Sequence, residues 1–321
     1  MRYLLKLLGG MILTVFICSA VYSDNNNSTN SEMVLVPGGT FQMGNIFSGG
    51  NEDELPVHEV TLDSFYIGKN EVTVGEFGKF VNATGYKTTA ETDGGADVFD
   101  GTRMVHDSSA CWRKVNFKQN NDHPVIFISW YDAVAYCNWL STREGLEPCY
   151  SREGDNIACN FEADGYRLPT EAEYEYAARC GGRDYKYAWG NGEPYINDIK
   201  AANILDETAL REWGGGADDC WHGYDDKFDY TSPVGTFAPS EQGLYDMSGN
   251  VFEWCWDRYA ASYYRNSPIE NPRGPDRGEM RSYRDAGYDS PPDNCRAAGR
   301  GKAKPGDRFH DVGFRLVRAV G

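Results

Sequence analysis

The sequence predicts a turn-rich α+β domain with little regular secondary structure, behind an export segment. Three observations predict it. Glycine and proline account for 36 and 14 of the 321 residues and aromatics for 14%, which reads as many turns around a Tyr-, Trp- and Phe-rich core. Short apolar runs of strand length alternate with helices that carry their own capping signals. Eight of the nine cysteines lie in the body of the chain, behind an apolar N-terminus. The 40% hydrophobic and 25% charged composition excludes collagen-like, coiled-coil and wholly disordered states. A formal charge of −17 opposes nucleic acid and anionic membrane surfaces as partners. It suits cations, calcium included, or a basic partner.

Residues 1–23 read as a signal segment. Arg2 and Lys6 precede the apolar stretch Leu7 to Val21, which is too short to span a bilayer. Two processing readings stand side by side. Val21-Tyr22-Ser23 fits a small-residue cleavage site. Val15-Phe16-Ile17-Cys18 is a loose bacterial lipobox, with Cys18 as the acylated residue and the chain's one point of membrane attachment. Residues 24–31 (DNNNSTNS) form a polar tether. No Pro- or Ser-rich linker follows, so residues 32–321 are read as one domain. The expected location is the bacterial envelope or surface, or the medium.

The elements follow in order. Met33 to Val36 is a strand, turned by Pro37-Gly38-Gly39 into a second at Thr40–Gly44. His58 to Ile67 alternates as one further strand. A capping box, Thr73 with Glu76, opens a helix with Val74, Phe77 and Val81 on one face and Gly85 as its stop. Val125 to Ile128 reads as a buried strand feeding a helix at Ser129, with Trp130, Ala133, Val134, Cys137 and Leu140 at helical spacing and Gly145 beyond its end. Thr170 and Glu173 cap a third helix, whose apolar side carries Tyr174, Ala177 and Ala178. From Tyr195 to Thr236 periodicity fades into a Gly- and Asp-rich stretch, a length of loop that is normally functional or metal-ordered.

An even cysteine count in an exported chain reads as disulfides. Cys149 and Cys159 bracket a Gly154-Asp155-Asn156 turn, so they are expected to staple a hairpin and contribute about 2–3 kcal/mol. No CxxC pair is present, and the five histidines (His58, His106, His123, His222, His310) show no helical HxxxH pair, so thiolate zinc and histidine-held iron are not expected.

An ordered set of motifs carries a resemblance. It runs from Met33-Val34-Leu35-Val36-Pro37-Gly38-Gly39-Thr40-Phe41-Gln42-Met43-Gly44 through His123-Pro124-Val125 and Gly165-Tyr166-Arg167-Leu168-Pro169-Thr170-Glu171-Ala172-Glu173. It continues with Gly243-Leu244-Tyr245-Asp246-Met247-Ser248-Gly249-Asn250-Val251-Phe252-Glu253-Trp254 and ends on Gly313-Phe314-Arg315-Leu316-Val317-Arg318. In this order the chain resembles the formylglycine-generating enzyme, or sulfatase-modifying factor, family, over about residues 32 to 319. The resemblance implies a C-type-lectin-like α+β fold. It also implies copper held by two cysteines between a Gly-Gly-Ser-Tyr strand and the final Gly-Phe-Arg. Here that stretch begins Met280-Arg281-Ser282-Tyr283 and holds only Cys295. One thiol cannot form the pair that Cu(I) requires, so no copper is expected.

The resemblance further implies structural calcium. One site takes oxygens from Asn203, Ile204, Asp226 and Phe228, with Lys227 standing where the family has glycine. A second takes them from Asn250, Val251 and Glu253. The enzymes' substrate face, which is also the ligand face of bacterial surface variable proteins, falls on residues 284–311. It is locally basic and aromatic. Tyr283, Arg284, Tyr288, Arg300, Lys302, Arg308 and His310 are expected to bind a ligand there, an extracytoplasmic protein or a glycan. The reading that follows is a catalytically inactive binding module. The alternative is an enzyme of the family with different, non-copper chemistry on the same face.

Overall fold

The computed structural model describes residues 32–100, 103–153, 156–213 and 219–320. The expected signal segment, Cys18 and the whole tether lie outside them, as do two residues of the turn at 154–156. Fifteen short strands and five helices are described, in the order β1 (Met33–Val36), β2 (Gly39–Met43), β3 (His58–Leu62), β4 (Phe65–Gly68), α1 (Val74–Thr84), α2 (Thr89–Thr92), β5 (Ala96–Phe99), β6 (Met104–Asp107), α3 (Trp130–Arg143), β7 (Tyr150–Glu153), β8 (Asn156–Cys159), α4 (Glu171–Ala178), β9 (Tyr195–Ile196), β10 (Ile199–Lys200), α5 (Glu207–Trp213), β11 (Phe252–Arg258), β12 (Arg281–Arg284), β13 (Gly301–Ala303), β14 (Val312–Gly313) and β15 (Val317–Ala319). The mix is α+β and turn-rich, as the composition required.

Two sheets organise it. One has the order β1-β4-β15 and joins the chain's start to its end. The other has the order β13-β12-β11-β14 and carries the C-terminal face. Helix α4 packs against β11 and β12. The core runs on both sides of these layers and is dominated by rings. Trp130 and Trp254 are fully buried, and their indole Nε1 groups donate to the carbonyls of Cys255 and Ile128.

Capping explains where the helices begin. Thr73, Ser129 and Thr170 each accept from the backbone three residues on, while Glu76, Asp132 and Glu173 reach back. Gly85 ends α1 at φ 69°, a left-handed cap.

Four expectations need correction. His58–Ile67 is two strands, because the chain turns at Asp63-Ser64 and β3 pairs with β2 while β4 pairs with β1. Val125–Ile128 is fully buried but forms no strand. Phe127 sits at φ 55°, and its N–H donates to the Phe309 carbonyl instead of a ladder. The 195–236 stretch holds the small β9–β10 pair and α5.

The fourth is the staple. Cys149 and Cys159 share no disulfide, and both thiols are free. The reason is register. Cys159 lies opposite Tyr150, and the Cys149 carbonyl accepts from Asn160. The two thiols therefore leave opposite faces of the hairpin, and Cys149 Sγ turns toward the Ala163 carbonyl.

Candidate functional site

The C-terminal face is built on a layer of buried charge. All eight residues of α4 are buried, its three glutamates included. Glu171 and Glu175 point beneath β12 and the following loop. Arg300 donates to Glu171 through Nε and Nη2 at 2.7 and 2.9 Å, and its guanidinium lies 4.4 Å from the Tyr264 ring centroid. Arg284 pairs with Glu175, reaches Glu171 at 3.3 Å and donates to the Ala297 carbonyl at 2.8 Å. Arg296 forms a two-armed pair with Glu54. Buried carboxylates matched in this way by guanidiniums fix the loop rigidly.

Above this layer a cavity of about 160 Å³ opens between β11, β12 and the loop before β13. Asn51, Phe252, Tyr283, Asp285, Arg296 and Arg300 contribute to its lining. Burial, helped by the nearby Asp311, pushes the Tyr283 phenol up to about 12. Asp285 accepts from Tyr174 Oη at 2.7 Å and from Gly249 N at 2.9 Å. Burial, with Glu253 close by, holds its carboxyl well above the usual range. Besides the Phe252 ring, the cavity is thus lined by hydrogen-bonding groups and by cations already paired within the protein.

The seven expected ligand residues divide. Arg284 and Tyr288 are fully buried, so the expectation that they meet a ligand is corrected, whereas Arg300 lines the cavity while its guanidinium is held by Glu171. Arg308 is a strut: Nε donates to the Gly95 carbonyl and Nη2 to the Asp93 carbonyl, each at 2.7 Å. Tyr283, Lys302 and His310 remain reachable, with Lys302 Nζ exposed 4.6 Å above the Tyr259 ring. Sequence reasoning took the arginines for surface groups. The glutamates at 171, 173 and 175, alternating with alanine and tyrosine in a short helix, were the available sign that arginines would be drawn inward.

The first implied calcium set fits. Asp226 accepts from Ile204 N at 2.9 Å and from Phe228 N at 2.8 Å, which draws three of the four residues together, with Asn203 next to Ile204 in the chain. Asn203 is fully buried, and its Oδ1 has no hydrogen-bond partner. Burial, reinforced by Asp206, pushes the Asp226 carboxyl up to about 8. An orphaned amide oxygen beside crowded acids is what a hard cation would relieve. Lys227 holds the loop at φ 81°, where the family's glycine would be unstrained.

The second set does not fit. Glu253 is held by Arg315 through contacts of 2.6–2.9 Å. Asn250 accepts from Ser232 N and Asn203 Nδ2 and donates to Glu71. Both side chains are committed within the protein, Val251 is left without a side-chain co-ligand, and this expectation is corrected. The copper expectation meets one thiol only: Cys295 is buried, and its Sγ faces the carbonyls of Ser290 and Pro291.

Comparison with known proteins agrees with this architecture. The chain is 33% identical over 317 residues to a formylglycine-generating enzyme of Streptomyces coelicolor, covering 88% of each chain. It is 32% identical over 278 residues to an inactive Cα-formylglycine-generating enzyme 2 of Bos taurus, covering 78% of this chain and 79% of that one. Among solved structures, PvdO from Pseudomonas aeruginosa superposes with a TM-score of 0.66 at 30% identity, over 90% of this chain and 94% of that one. Treponema denticola variable protein 1 does so with 0.62 at 27% identity, over 89% and 94%. The model of the sulfatase-modifying factor enzyme 1-like domain matches residues 19–320. By that match, and by a fold that agrees with it throughout, the chain belongs to the formylglycine-generating enzyme family.

Proposed function

We propose that this protein is an exported family member that does not generate formylglycine and that works as a binding module for a protein or glycan through its C-terminal face. The observation that carries the reading is the copper stretch. Between Met280 and Gly313 the chain offers one buried thiol, where a Cu(I) site needs two facing thiolates. The reading is supported by the intact platform beneath, in which the Glu171–Arg300–Arg284 layer holds the loops of that face. It is also supported by likeness to a relative described as inactive and to a variable protein. Tyr283, in the cavity lining, and Lys302, exposed on the neighbouring strand β13, are the contact residues; Arg284, Arg300 and Arg308 position them.

The test has two readouts on the full-length protein. A cysteine-containing sulfatase peptide incubated with Cu(I)-treated protein should yield no aldehyde. Affinity for a partner captured from the native envelope should fall by about thirtyfold, about 2 kcal/mol, in Tyr283→Ala or Lys302→Ala if that residue is a true anchor. Conversion of the peptide sinks the inactive reading. Wild-type affinity in both variants sinks the assignment of the face.

Calcium at Asn203, Ile204, Asp226 and Phe228 belongs to the same reading, as a structural ion. Adding Ca²⁺ to chelator-treated protein should raise the melting temperature, by an amount equivalent to about 2.7 kcal/mol at a hundredfold excess over Kd. Asp226→Asn should abolish the increment. A melting curve indifferent to chelator and Ca²⁺ refutes the site.

A further inference from the structure

We propose that Asp289, His310 and Asp311 bind one divalent first-row transition-metal ion at the edge of the cavity, in a site distinct from both calcium sets and from the missing copper pair. One carboxylate oxygen from each aspartate and one ring nitrogen of His310 all lie within 4.8 Å of one another. Donors around a tetrahedral zinc-sized ion are separated by about 3.4 Å, so side-chain shifts that bring the donors closer by up to about 1.4 Å close the set.

The surroundings favour a cation. No lysine or arginine among the described residues pairs with Asp289 or Asp311, and the hydrogen bonds that favour their charged forms come only from their own backbone. Two like charges are therefore brought together without a basic partner other than His310. Their mutual repulsion, added to burial, pushes Asp289 up to about 7. A divalent ion removes that cost by displacing protons.

The histidine is already oriented. The buried Tyr288 Oη lies 2.8 Å from His310 Nδ1, which leaves Nε2 as the ligating nitrogen and supplies the outer hydrogen bond that metal-bound imidazoles ordinarily have. Close packing holds the two carboxylate segments together: a Cβ added at Gly287 would lie 2.9 Å from Asp289 Oδ1 and 3.2 Å from Asp311 Cβ.

Ligand chemistry sets the class of ion. One imidazole with two carboxylates suits Zn²⁺, Mn²⁺ or Fe²⁺, whereas Ca²⁺ takes oxygen alone and Cu(I) prefers sulfur. Three protein donors leave at least one coordination position for water or a ligand. The cavity is adjacent: Phe252 lines it and donates its N–H to the Asp311 carbonyl at 2.7 Å, and the Tyr283 phenol, also in the lining, lies within the field of both carboxylates.

The experiment uses untagged full-length protein, stripped with chelator and dialysed against Zn²⁺ with millimolar Ca²⁺ present to fill oxygen-only sites. Retained metal is counted by mass spectrometry, and Co²⁺ serves as the optical probe. The expected result is one Zn²⁺ retained per chain and visible Co²⁺ absorption. Affinity should be reduced at least tenfold in Asp289→Asn, Asp311→Asn and His310→Gln, and unchanged in Asp293→Asn on the same loop. Circular dichroism identifies any variant that fails to fold. Should the aspartate variants do so, the wild-type Co²⁺ spectrum and its loss in His310→Gln decide. No retained Zn²⁺, displacement of Zn²⁺ by Ca²⁺, or unchanged retention in folded variants overturns the proposal.

Discussion

Replacing Glu171 by alanine is expected to destabilise the protein by about 3–5 kcal/mol, because it leaves the buried Arg300 guanidinium without its counter-charge and Arg284 with Glu175 alone. Glu171 is 2% exposed and takes both arms of Arg300, one arm of Arg284 and the hydroxyl of Ser282. Glu171→Gln keeps the shape and removes the charge, so it should also be strongly destabilising. The effect depends on pH with a defined sign. Burial alone would raise this carboxyl, but Arg300 and Arg284 outweigh it and hold it at about 2, below its ordinary 4.5. A carboxyl depressed in the folded state stabilises fully above the unfolded value and loses that contribution as pH falls through the folded one. The gap between wild type and Glu171→Gln in urea denaturation should therefore be largest above about pH 4.5 and shrink toward pH 2. A gap that does not change over this range would show that Glu171 acts through packing alone.

The second large effect is expected at Trp130, where Trp130→Ala should cost about 3–5 kcal/mol. Its ring is fully buried, and its Nε1 donates to the Cys255 carbonyl at 2.9 Å, which pins α3 to β11. Trp256 lies 5.7 Å from it, and the Arg281 guanidinium lies 3.8 Å from its centroid. Removing the ring thus opens a cavity, takes the indole donor from the Cys255 carbonyl and leaves Arg281 stacked on Trp256 alone. Trp130→Phe retains most of the ring and should lose less. Chemical denaturation of the two variants checks the order, and equal losses would mean that the hydrogen bond, not the ring, dominates. Burial of an arginine against indoles also explains why the Arg281 guanidinium is held down, to about 10, with the neighbouring Arg258 adding to the effect.

The sequence by itself determined the fold class, the family and the starts of α1, α3 and α4. These depend on local chemistry: a threonine or serine with an acid three residues on caps a helix wherever it is placed, and glycine runs turn the chain. It also determined that the stretch from Met280 to Gly313 holds one cysteine where the resemblance implies two. Tertiary structure decided which side chains face a ligand. Arg284, Tyr288 and Arg300 look like binding residues in a basic, aromatic segment, yet α4 presents buried glutamates that draw the arginines under the face. It also decided that Glu253 answers Arg315 and that Cys149 and Cys159 leave opposite faces of their hairpin. Asp289 comes beside His310 and Asp311 only when the chain folds back across some twenty residues. The physical reason is common to all four. Charge pairing, thiol geometry and metal ligation depend on distances of a few ångströms between residues remote in the chain, and those distances are set by packing against elements that local sequence does not specify.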